Sequence, residues 1–229
     1  MKNQLVKDAM VLTVITLVAG LSLGAVSEIT KEPIAKAEAA ALAKAYQSVF
    51  ADATDFEPLS GFDAEAATQA GQAAEGNQGD NEITDCQVAK DGSGEALGYI
   101  ITVTTHDGYG GDITFSMGVT NDGTMNGYSI TSIDETPGLG MKSTEEGFYS
   151  QFENIPVGTY TVTKSSPAGE NEIEAISGAT ITSRSVTNGV NAGMAYFETL
   201  SGTEGSADAS ADDLETEDGL DEEGGEADE

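Results

Sequence analysis

Residues 113–133, ITFSMGVTNDGTMNGYSITSI, decide the fold class. Ile113, Phe115, Met117 and Val119 alternate with small or polar residues, the period of a strand with one buried face. Asn121-Asp122-Gly123 is a strong turn signal, and Tyr128 to Ile133 returns as the partner strand. Upstream, Leu97 to Thr105 is β-branched and aromatic, and His106 to Gly111 supplies three glycines for a tight connection. These segments predict a three-stranded antiparallel meander. Tyr109 in its first connection reads either as part of a permissive turn or as a ligand contact, while Met117 and Met125 read as core filler.

Around the meander the pattern turns helical, which makes the fold class α+β, an antiparallel sheet flanked by helices. Pro33 is placed where a helix starts, and Ile34, Ala37, Ala41, Ala45 and Val49, with Leu42 beside them, predict an apolar stripe to about Phe50. Residues 52–82 are rich in Ala, Gln, Gly, Asn and acid, and read as an exposed insertion with one weak helix near Ala64 to Ala74. A helix is expected over Ser143 to Phe152 and a short strand over Tyr160 to Thr163. Asn171 to Ile176 leads into a last helix ending near Leu200. Residues 201–229 carry thirteen carboxylates and no basic residue, the composition of a disordered acidic tail.

The charge and the scarce chemistry exclude several functions. A formal net charge of -31 over 229 residues argues against nucleic-acid binding, which needs a basic face. With one cysteine, Cys86, and one histidine, His106, no internal disulfide and no Cys/His zinc cluster can form, and no metal site is assigned. Both residues read as structural or surface groups. From Ala9 to Val26 the chain is uncharged and apolar, long enough to cross a bilayer. Lys2 and Lys7 precede it, so residues 1–8 are expected in the cytoplasm, 9–27 as a transmembrane helix, and 28–200 as an extracytoplasmic domain. A cleaved signal peptide is the rival reading.

Two short stretches are candidates for chemistry. Ser177-Gly178-Ala179-Thr180-Ile181-Thr182-Ser183 precedes an apolar pattern at Val186, Val190, Met194 and Leu200, so a helix is expected to begin near Thr182. Its unpaired first amides and partial positive charge suit a phosphate, with Arg184 adding to the field. Equally, Thr180, Thr182 or Ser183 reads as a simple cap. The second stretch, Glu135-Thr136-Pro137-Gly138-Leu139-Gly140 followed by Met141-Lys142, bends sharply and lets a ligand approach its backbone.

Together, in this order, the two stretches resemble the FMN-binding domain of the G subunit of the Rnf ion-translocating electron-transport complex and of the related C subunit of the sodium-translocating NADH:quinone reductase. The resemblance covers roughly residues 1–200. It implies a covalent FMN, joined by a phosphoester to Thr180, with Ser177, Gly178, Ala179, Ile181 and Thr182 around the attachment point and Thr136, Gly138, Leu139 and Lys142 near the flavin. It further implies a flavin transferase as attachment enzyme, the other subunits of the Rnf complex as partners, and a redox subunit of a translocase that is not catalytic alone. Two alternatives stay open at this point: the quinone reductase subunit, and a membrane-anchored acidic scaffold without cofactor.

Overall fold

Helix α1, Lys2–Val49, runs unbroken for 48 residues. The computed structural model describes residues 2–73, 78–167, 169 and 171–209. Along 9–26 the apolar side chains are exposed all round the helix, and none of the described residues packs on them. That is the surface of a lipid-embedded span, and among the described residues α1 alone is long and apolar enough to cross a membrane. The expected second helix starting at Pro33 is corrected: Pro33 lies inside α1. It offers no N–H to the Ile29 carbonyl, at a cost of about 3 kcal/mol. Strong helix formers on both sides carry the helix through. The stripe is shorter than expected too. Ile34, Ala37 and Ala41 are exposed, and packing begins at Leu42 and becomes complete at Ala45, Tyr46, Val49 and Phe50.

These last turns dock on one face of a six-stranded sheet, β1 (Asp55–Pro58), β2 (Asn81–Lys90), β3 (Ala96–Thr105), β4 (Ile113–Thr120), β5 (Thr124–Ile133) and β6 (Ile155–Pro156). The strands lie in chain order, each antiparallel to the next. The expected meander is β3-β4-β5, with Phe115 opposite Val103 on one side and Ile130 on the other. Gly118 in β4 lets α1 approach, since a Cβ there would lie 2.9 Å from Val49 Cβ. Tyr46 Oη donates to Asp85 Oδ2 (2.8 Å) and Asn126 Nδ2 donates to the Val49 carbonyl (2.9 Å), which fixes the end of α1 to β2 and β5.

The opposite face holds the main core. Ile83, Ile101, Val103, Ile113, Phe115, Met117 and Val119 pack there on Val186, Val190, Met194 and Phe197 of α4 (Thr180–Ala209). Each such buried side chain contributes about 2 kcal/mol by area removed from water. Two expectations about α4 are corrected. It begins at Thr180 rather than Thr182, and it passes Leu200 to Ala209, into the stretch expected as tail; residues 210–229 lie outside the described residues.

The 52–82 segment is not an exposed insertion. β1 extends the sheet, and α2 (Ala64–Ala73) buries Ala67 and Gly71 against the domain. Asp63 Oδ1 caps α2 by accepting from the amides of Glu65 and Ala66, and Thr68 Oγ1 accepts from the Ile83 amide at 2.9 Å. Small residues suffice because the helix sits close to its neighbours. The helix expected over Ser143 to Phe152 is instead a 3-10 turn at Gly140–Thr144, a single α turn α3 (Glu146–Tyr149) and a second 3-10 turn at Ser150–Phe152. Phe152 pins this segment by edge contacts with Tyr128 and Phe148, at centroid distances of 5.2 and 5.5 Å. The strand expected at Tyr160 to Thr163 is β7 (Thr161–Thr163), paired in parallel with β8 (Glu172–Glu174).

Candidate functional site

Chain leaving β8 turns sharply at Ser177-Gly178 before entering α4. The Ala179 amide donates to the Ile176 carbonyl at 2.9 Å, and Gly178 has φ +81°, a conformation that only glycine adopts without strain. The first bond within α4 runs from the Ser183 amide to the Ala179 carbonyl (3.0 Å), so Ala179 is the flanking residue and has no side-chain oxygen to cap with. Among the described residues, no side chain accepts from the amides of Thr180, Ile181 or Thr182. Three donors therefore point out of the helix start, where its partial positive charge lies.

The hydroxyls nearby are not equivalent. Ser183 is buried, with its Oγ accepting from the Ile176 amide and donating to the Ala179 carbonyl, both at 3.0 Å. Thr182 is 1% exposed and donates to Glu135 Oε1 at 3.0 Å. Thr180 is half-buried, and its hydroxyl has no intramolecular partner among the described residues. None of the three caps the helix, which removes the bland alternative.

A cleft of about 610 Å³ opens in front of this turn, lined by Gly178, Ala179, Thr180, Ile181 and Thr182 from the α4 side. Across it lie Glu135, Thr136, Leu139 and Gly140, and Tyr109 completes the rim. The first loop is held in place by Tyr128 Oη, which donates to the Ser143 carbonyl at 2.8 Å, and by Ser143 Oγ on the Gly140 carbonyl at 2.8 Å. Gly140 is required where it stands: a Cβ would collide with the Glu135 carboxylate and lie 2.8 Å from Thr182 Oγ1.

Seven of the ten expected site residues thus meet at one cleft. Three do not line it. Lys142 and Ser177 line a neighbouring hollow with Glu145 and Glu174, and Gly138 faces neither. Glu135 and Gly140 belong to the second sequence stretch but are not among the ten, and Tyr109, open to two readings from sequence, lines the cleft with them. The buried Glu135 carries no local signal, because its partner lies 47 residues away. Arg184 is exposed and outside the cleft lining. Cys86 lies in the core, where burial pushes its thiol up to about 12, and it takes no part.

The cleft fits a flavin nucleotide in three respects. Its volume is that of a small-molecule site, its α4 side offers free amides for a phosphate, and Leu139 (41% exposed) and Ile181 (53%) give it apolar walls. Residues 108–195 match the FMN-binding domain family, a span running from the Tyr109 loop to the middle of α4. The G subunit of the Na+-translocating ferredoxin:NAD+ oxidoreductase complex of Acetobacterium woodii is 32% identical over 199 residues, 85% of this chain and 92% of that one. The chain belongs to the G-subunit family of ion-translocating oxidoreductase complexes.

Within this family, the G subunit of the ion-translocating oxidoreductase complex of Methanosarcina acetivorans is 27% identical over 87% of this chain and 98% of its own. Among solved structures, NqrC of Shewanella oneidensis superposes with a TM-score of 0.46 at 20% identity, over 55% of this chain and 62% of that one. Membership in the G-subunit family and the FMN-binding domain displace the cofactor-free scaffold reading. The apolar part of α1 fits a membrane anchor for a chain of this family.

Proposed function

We propose that this G subunit carries FMN as a phosphoester on Thr180 and relays electrons inside a membrane-bound ferredoxin:NAD+ oxidoreductase that translocates ions. The observation that carries the reading is the contrast among the three hydroxyls at the start of α4: those of Thr182 and Ser183 are engaged, while Thr180 lines the cleft with a hydroxyl that has no partner among the described residues, beside three uncapped amides. When bound, FMN supplies the electron-carrying ring.

The chain's own residues favour a covalent link. No Lys or Arg lines the cleft, Glu135 adds a negative charge, and the chain carries -31 overall. A free phosphate monoester brings roughly two negative charges at neutral pH. A diester brings one, which the α4 amides of Thr180, Ile181 and Thr182 can balance. Gly178 and Ala179 leave the backbone accessible beside it. Leu139, Ile181 and Thr136 form the walls for the ring, while Ser177, Gly138 and Lys142 lie outside the cleft lining.

Among the described residues no base is bonded to the Thr180 hydroxyl: the cleft lining holds no His or Cys, and its one carboxylate, Glu135, is bonded to Thr182 and the Tyr109 amide. Attachment therefore falls to a separate flavin transferase. The Thr180 Oγ1–phosphorus bond forms, the pyrophosphate bond of FAD breaks, AMP leaves, and the hydroxyl proton passes to the transferase.

Lys2 and Lys7 favour a cytoplasmic N-terminus, with α1 as a single span and residues 28–200 as the extracytoplasmic domain. One helix cannot enclose an ion path, so translocation belongs to the partner subunits. The test is to purify the membrane complex through a tag on this chain and add reduced ferredoxin. The other subunits should copurify, and the flavin absorbance on this chain should bleach. A chain that purifies alone, or a flavin that ignores the reductant in an active complex, defeats the proposal.

A further inference from the structure

Tyr109 stands apart from every other aromatic residue of the chain. It is 72% exposed, whereas the remaining tyrosines and all phenylalanines are buried or half-buried, and it joins none of the aromatic pairs. Yet the backbone beneath it is firmly held. The Tyr109 amide donates to Glu135 Oε1 at 2.8 Å, the same oxygen that accepts from Thr182 two residues beyond Thr180. Gly110 beside it packs so closely on the Asp134 carbonyl that no side chain fits. A fixed backbone thus presents an exposed phenol ring at the rim of the cleft that Leu139 and Ile181 also line. Tyr109, Leu139 and Ile181 are all exposed and line one cleft, a clustered apolar surface of the kind that marks a ligand site.

Resting on the flavin reading of this cleft, we infer that Tyr109 is a flavin-binding residue: its ring packs against the isoalloxazine, and the Glu135 carboxylate sets its position through the Tyr109 amide. Glu135 is then a positioning residue that ties the β3–β4 loop, the 135–140 loop and the first turn of α4 to one another. The phosphate end of the site and its ring end share one anchor.

The chain has no tryptophan, and Tyr109 is the one tyrosine in the cleft lining, which makes the test clean. A phenol in contact with an excited flavin quenches its emission, and a phenyl ring does not. Wild type, Tyr109→Phe and Tyr109→Ala are produced with a flavin transferase, and emission is normalised to the attached FMN. Emission should rise several-fold in both variants. The visible circular dichroism of the flavin should survive in Tyr109→Phe, which keeps the packing, and collapse in Tyr109→Ala. Equal emission from wild type and Tyr109→Phe overturns the inference, also where the alanine variant fails to take up FMN. If wild type acquires no adduct, the ester on Thr180 is lost, and the same comparison is read with added free FMN; equal quenching by wild type and Tyr109→Phe again overturns the role of Tyr109.

Discussion

Thr182 Oγ1 donates to Glu135 Oε1 at 3.0 Å, joining the first turn of α4 to the loop after β5 in a buried contact. Both Thr180 and Thr182 line the cleft, and the contact separates them: the Thr182 hydroxyl is buried and committed to Glu135, while that of half-buried Thr180 has no partner among the described residues. Removing it in Thr182→Val leaves a buried carboxylate short of one donor. A loss of about 2 kcal/mol is expected, the range for hydrogen bonds to charged groups. Urea unfolding measures it, and the variant should still acquire FMN.

Gly118→Ala probes how α1 is seated. The new methyl would meet Val49 Cβ at 2.9 Å and Phe50 Cε2 at 3.0 Å, on a helix end that cannot shift without losing the Asn126 contact. Overpacking of this kind costs about 1–3 kcal/mol. A lowered thermal midpoint, with FMN attachment unchanged, is the expected result.

Cys86 is fully buried in β2, and its thiol is pushed up to about 12, chiefly by burial and next by the Asp85 charge. Native protein should resist iodoacetamide at pH 8 and react after unfolding, because the thiolate is the reactive form. Alkylation of the folded chain at the rate of a free thiol would contradict the packing of β2.

His106 accounts for a pH dependence. Its hydrogen bond with Asp112 (2.9 Å) raises its pKa, aided by the charges of Asp112, Asp80 and Glu82 and opposed by partial burial. The protonated form is favoured in the folded state. The stabilisation is therefore fully present below the unfolded value of about 6.5 and is lost as pH rises through the higher folded value. Proton NMR of this single histidine should titrate above the ordinary value, and Asp112→Asn should lower it.

Which parts of this architecture can be read from sequence follows from where the information lies. The β3-β4-β5 meander is legible because alternation and the Asn121-Asp122-Gly123 turn are local. β2 is not, since a bulge between Ile83 and Asp85 puts Ile83 and Cys86 on one face three residues apart and breaks the period of two. Pro33 misleads for the opposite reason: its local preference to start a helix is overridden by the helix on both sides. At the site, the two motifs locate the cleft, yet three adjacent hydroxyls look alike in one dimension. Only the partners of Thr182 and Ser183, Glu135 and the Ile176 amide, tell them apart from Thr180. Lys142, placed near the flavin by the motif, sits in the next hollow because the 3-10 turn at Gly140–Thr144 carries it out of the cleft.

The central claim is an ester at one hydroxyl, and intact mass spectrometry of the chain produced with a flavin transferase tests it most directly. Wild type and Thr182→Val should each be heavier than their sequences by one FMN less one water, and Thr180→Ala should carry no addition. An unmodified wild type from cells whose transferase labels another acceptor, or an adduct that persists in Thr180→Ala, would contradict the account.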